Sequence, residues 1–195
     1  KANFTILDSS FEGTVKGINS VGGLVGEGMY SRIENSYADA AVKVNEGDEL
    51  ETGDNFGGLV GFAYDLEISD SSAEGNVNAS DADNVGGLVG KSFNSTVDES
   101  YANNKVTGSS QVGGLVGYMY KGPTTLKNSY STGTVTGDNN VGGLVGKLKM
   151  ETIKDSYFEG TVKGINSVGG LVGEGISSRI ENSYADADVE LVEAA

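Results

Sequence analysis

Val141-Gly142-Gly143-Leu144-Val145-Gly146 is one of six near-identical hexapeptides, which begin at Val21, Phe56, Val85, Val112, Val141 and Val168. The core Gly-Gly-Leu-Val-Gly is unchanged in all six, and successive starts lie 35, 29, 27, 29 and 27 residues apart. Self-similarity at such a period is the mark of a stacked-repeat architecture and is read before any single residue. A second marker precedes each hexapeptide. It opens on an aliphatic residue (Ile6, Ile33, Ile68, Val97, Leu126, Ile153, Ile180). Three positions on stands a serine in every unit: Ser9, Ser36, Ser71, Ser100, Ser129, Ser156 and Ser183. A tyrosine or serine follows, and a valine closes the marker at Val15, Val42, Val77, Val106, Val135, Val162 and Val189.

This period admits either a helical hairpin or a β-coil. The segments are rich in Val, Ile, Thr, Tyr and Gly, which favour strands and turns over helix. Each unit reads as two short strands, with room for a third: one of the type 153–162, a turn such as 163–167, and the hexapeptide strand 168–173. The fold expected is therefore all-β, a parallel β-helix (β-solenoid) of six to seven coils of 27–29 residues. It is taken as right-handed, because parallel crossovers are. Coils are expected to start near 6, 33, 68, 97, 126, 153 and 180, within one domain spanning 1–195. Coils stacked about 4.8 Å apart place equivalent residues above one another, in aliphatic columns that no single unit could bury alone. With 31 Gly and one Pro the composition agrees, since a parallel ladder uses every backbone N–H and proline has none. Residues 11–42 and 158–189 are nearly the same sequence at an offset of 147. A recent block duplication explains this and suggests a parent array longer than the chain, which starts in mid-pattern as a mature or excised segment.

The hexapeptide poses a choice. Side chains alternate along a strand, so adjacent Leu and Val cannot both face inward on a straight one. Either a glycine bends the strand and both are buried, or the valines form an external apolar stripe. In the second arrangement Val116 and Val145 would be partner-contacting residues. Lys91-Ser92 follows one hexapeptide, but the glycines do not form a phosphate loop, because no strand-to-helix context exists.

Several function classes are excluded or disfavoured. Cys and His are absent, which removes Cys–His and Ser–His catalytic pairs and the usual zinc ligands. A net charge of −15 opposes nucleic acid and anionic lipid. No apolar run approaches the roughly 20 residues of a membrane helix. Polar positions repeat instead of being unique to one level of the stack, so no enzyme activity, no catalytic residue and no organic cofactor is expected.

Repeated Gly-Gly-Leu-Val-Gly with intervening Asn-Ser-Tyr-x-x-Gly-x-Val strands resembles the GLUG motif family, over nearly the whole chain from Ile6 to Val189. Phe56 in place of the leading valine and an insertion in the second unit are modest departures. The resemblance implies a secreted or surface-anchored microbial protein, an adhesin or the non-catalytic part of a larger one. It carries over no catalytic residue.

Candidate sites are few. The acidic insertion 44–55 holds Asp48, Glu49, Glu51 and Asp54, and a shorter cluster holds Asp81 and Asp83. Both are weak Ca²⁺ candidates, because their spacing departs from that of an EF-hand loop. Aromatics after the hexapeptide, chiefly Phe62 and Tyr118 with Tyr120, are candidates for a glycan or protein partner. The column holding Met29, Tyr64, Phe93, Tyr120 and Ile176 is otherwise expected to be core or to cover a corner. The reading that follows is an extracellular, cell-surface scaffold, stalk or adhesin segment. The alternatives are a fibre or surface-layer subunit associating with its own copies end to end or laterally, and a carbohydrate-binding module.

Overall fold

The computed structural model describes residues 4–45, 53–122 and 125–193, and every regular element among them is a β-strand. Among these residues no helix is long and apolar enough to cross a membrane. One coil consists of four strands, Thr125–Lys127, Tyr130–Thr136, Asn139–Gly142 and Val145–Lys149. The next coil begins with Thr152–Lys154. Stacked coils form three parallel sheets of 11, 6 and 8 strands, a β-solenoid of about seven turns.

The repeat columns are the ladder register. Val97 pairs with Leu126, Leu126 with Ile153 and Ile153 with Ile180. Likewise Val106, Val135, Val162 and Val189 follow one another along the eight-stranded sheet. These columns point inward and are buried from Ile33 through Val162. They form the core, each aliphatic side chain contributing about 1.5–3 kcal/mol by leaving water. The last coil exposes the same columns, with Ile180 at 48% and Val189 at 45%. The insertion leaves the register intact. At its start Val44 pairs with Gly17, and near its end Asp54 pairs with Asn19.

The hexapeptide is not one strand. Val141 and Gly142 end the third strand of their coil, and Val145 starts the fourth in a different sheet. The chain turns between them, so Leu144 and Val145 both face inward and both are fully buried. The bend shows in the ladder, where the Leu144 carbonyl accepts from both Leu115 N–H (2.9 Å) and Val116 N–H (3.0 Å) of the preceding coil. The external valine stripe is thereby overturned. Val116 and Val145 have no exposed surface, because the Gly-Gly bend shifts the in–out alternation by one residue. The bend also presses glycine against the opposite wall. A Cβ on Gly114 would lie 2.1 Å from the Gly143 carbonyl oxygen and 2.7 Å from Ser131 Oγ.

Left-handed residues mark the corners. Asp8, Asn35, Asp70, Glu99, Asn128, Asp155 and Asn182 form one column with φ of 47–49°. A second contains Asn140 (φ 52°) and a third Met150 (φ 59°) with their equivalents. Asn and Asp tolerate this region better than other non-glycine residues, which explains their abundance beside the invariant serine.

Candidate functional site

The sheet that receives the hexapeptide carries two outward columns, because residues two and four after the buried valine point to solvent. The register of the first runs Glu27, Phe62, Lys91, Tyr118, Lys147, Glu174. That of the second runs Met29, Tyr64, Phe93, Tyr120, Lys149, Ile176. The predicted aromatics Phe62, Tyr118 and Tyr120 thus lie on one face, each half-buried.

The rings of the second column pack on each other. Tyr64 stacks on Phe93 at 4.7 Å with an interplanar angle of 3°, and Phe93 meets Tyr120 edge-on at 4.9 Å. Tyr120 stacks on Tyr118 of its own strand at 4.7 Å. The column is therefore neither core nor a set of free platforms, but a self-packed ridge covering the outside of the sheet. Burial, followed by the neighbouring Tyr118 and Tyr64, raises the Tyr120 phenol above its ordinary range. Tyr64 is raised as well, chiefly by its hydrogen bond with Tyr30.

Lysines interleave with these rings. Lys91 Nζ lies 6.0 Å from the Tyr118 centroid and 5.6 Å from that of Tyr120. Lys147 Nζ lies 5.9 Å from Tyr118, and Lys121 Nζ 5.3 Å from Phe93. Such contacts contribute about 0.5–1 kcal/mol at exposed sites. Lys147 also pairs with Glu174 at 2.8 Å. Lys91 and Lys149 have no ion-pair partner among the described residues. In a chain of net charge −15 with 13 Lys and Arg, four of the lysines, Lys91, Lys121, Lys147 and Lys149, gather on one face, with Glu27 and Glu174 at the ends of the first column. Aligning the units on the hexapeptide would have shown Lys91 and Lys147 at the same position.

A second aromatic column lies on the eight-stranded sheet. Tyr101, Tyr130, Tyr157 and Tyr184 stack nearly parallel at 5.0, 4.9 and 5.3 Å. Their faces cover one another, so edges and hydroxyls are what this column presents. Burial, with the adjacent tyrosines, raises the phenols of Tyr130 and Tyr157.

Of the acidic candidates, Asp48, Glu49 and Glu51 lie outside the described residues. Asp54 and Asp83 are register partners on adjacent coils, and Asp81 is exposed in the preceding turn. Asp54 is raised above the usual carboxylate range by desolvation first and Asp83 second, with Lys91 opposing. Among the described residues no group of three or more carboxylates gathers to hold a metal ion.

The family model for the GLUG motif matches residues 17–45, 52–78, 81–107, 108–136 and 164–190. The stretch between the last two matches, which includes the hexapeptide at Val141, stacks in the same register as its neighbours. No curated protein matches the chain, and no solved structure does. With five matched segments over more than half its length, on coils whose columns are the motif itself, the chain belongs to the GLUG motif family.

Proposed function

We propose that this chain is a non-enzymatic scaffold segment of an extracellular microbial surface protein, a stalk or adhesin repeat that holds other surfaces outward. The observation that carries this reading is the unbroken register. Equivalent residues pair coil after coil, from Ile6 with Ile33 to Ile153 with Ile180. A stack in which each coil contacts only its neighbours gains stability as coils are added, and it presents the same surface repeatedly. Repetition of the polar positions supports a structural role, because catalysis needs a constellation found at one level only. The experiment is surface labelling of intact source cells with a membrane-impermeant amine reagent, paired with protease shaving. Labelling and release without lysis are expected; reaction only after lysis would sink the extracellular placement.

A second reading, a fibre or surface-layer subunit, is favoured by the same register. The edge of Tyr184–Leu191 carries the pairing pattern that joins Tyr157–Gly164 to it. Ser10–Gly17 pairs in the same way with Tyr37–Val44, so the two strand types have the register to pair between copies. Sedimentation over a range of concentrations tests this, and a monomer at every concentration would exclude it.

A further inference from the structure

The first outward column alternates in a regular way. From one end it runs Phe62, Lys91, Tyr118, Lys147, which is ring, cation, ring, cation, at one residue per coil. Glu27 and Glu174 bound it. Coils lie about 4.8 Å apart, so like residues recur about every 10 Å along the solenoid axis. The column runs on the outside of the sheet beside the ring ridge of the second column, so a linear polymer laid along the axis would meet these four side chains in succession. The alternation asks for a polymer whose units alternate in the same way, with a neutral sugar ring against each aromatic and an anionic group against each lysine.

We propose that the Phe62–Lys147 column is a binding track for an alternating polysaccharide, one whose disaccharide repeat carries a single uronate carboxylate. Lys91, which has no ion pair among the described residues, and Lys147, which already holds the Glu174 carboxylate at 2.8 Å, favour an anion at these two steps of the track. The interleaved rings favour a sugar over an acidic peptide. Phe62 and Tyr118 lie two coils apart, as do Lys91 and Lys147, and each pair marks the same step of the polymer. Glu174 acts as an internal competitor, since its carboxylate occupies Lys147 at 2.8 Å. A bound uronate would displace it. Binding is read on the purified chain and surface placement on intact cells, so either proposal can fail without the other.

The test is calorimetric titration with hyaluronan fragments at low salt, beside neutral dextran and polyglutamate. Hyaluronan is expected to bind, with affinity falling as salt screens the lysines. Lys91→Ala is expected to weaken binding about tenfold, while Lys105→Ala, on another sheet, leaves it unchanged. Glu174→Gln frees Lys147 and is expected to tighten binding severalfold, a gain that misfolding cannot produce. Three outcomes would overturn the proposal: hyaluronan binding no better than dextran, polyglutamate binding as well as hyaluronan, or face variants that leave hyaluronan affinity unmoved. The second of these would point to an acidic protein partner.

Discussion

The backbone N–H of Ser100 donates to the hydroxyl of Ser129, one coil on, at 3.1 Å, and that hydroxyl donates to the Lys127 carbonyl at 2.6 Å. The same two bonds recur at every level from Ser9 to Ser183. The serine follows the left-handed corner residue, where the chain changes sheets and its N–H has no strand carbonyl to reach. Its side chain closes that gap with one donor and one acceptor, which a hydroxyl alone supplies at this size.

Ser100→Ala should therefore leave the buried Ser71 N–H, now bonded at 3.2 Å, without its partner, and take from the Asp98 carbonyl its 2.7 Å bond, leaving it the Asp70 N–H at 3.3 Å. A loss of about 1–3 kcal/mol is expected. Urea unfolding of the variant measures it, and a cost within error of zero would show that the column is incidental. Ser183→Ala, in the outermost coil, should cost less, because water reaches the freed groups.

Gly114→Ala should be among the most damaging single-methyl additions. The new carbon would collide with the Gly143 carbonyl oxygen at 2.1 Å, and backbone cannot rotate away. Overpacking of this kind costs about 1–3 kcal/mol or more, enough to lower the melting temperature by several degrees. Gly175→Ala meets nothing within 4 Å and should stay within about 0.5 kcal/mol of the parent. Parallel melts of the two variants provide the comparison.

The raised Asp54 carboxyl predicts a pH dependence. Its folded pKa lies above the unfolded value, so the folded chain binds the proton more tightly. The resulting stabilisation is complete below the unfolded pKa of about 4 and is lost as pH rises through the folded one. Asp54→Asn should therefore be more stable than the parent at pH 7 and lose that advantage toward pH 3. Melting across this range checks the sign, and the effect should be small because Asp54 is largely exposed.

Tyr130 and Tyr157 give the alkaline counterpart. Burial and ring neighbours favour their neutral phenols in the fold. Stability from this source is present below the ordinary value of about 10 and lost as pH rises through the folded one. Tyrosinate absorbance should consequently show a delayed component that appears with unfolding. Tyr130→Phe should shift the alkaline unfolding midpoint upward. A single tyrosinate transition well before unfolding would contradict this.

Much of the fold was legible because repetition converts spacing into register. Ile153 and Ile180 are 27 residues apart, and the ladder places them side by side. Phe62 and Tyr118 stand six residues after the start of their hexapeptides and Tyr120 eight, so the same repetition sets them in two neighbouring outward columns. Lys91 and Lys147 are less legible, because a basic residue in each of two units looks sporadic until the coils are stacked. The left-handed columns through Asn128, Asn140 and Met150 were not legible either. Met150 and Lys121 share that conformation with Asn94, so residue type alone does not mark the third corner.

From its sequence alone, this protein's coil period, its aliphatic columns and its parallel stacking followed, since strand propensity and a common repeat leave no other way to bury those side chains. Tertiary structure decided where Val116 and Val145 point. In–out alternation holds only while a strand stays straight, and the turn after Gly113 and Gly142 resets its phase. The outer face was decided there as well. Lys91, Tyr118 and Lys147 become neighbours only when three coils lie in register, and their common field exists only in that stack.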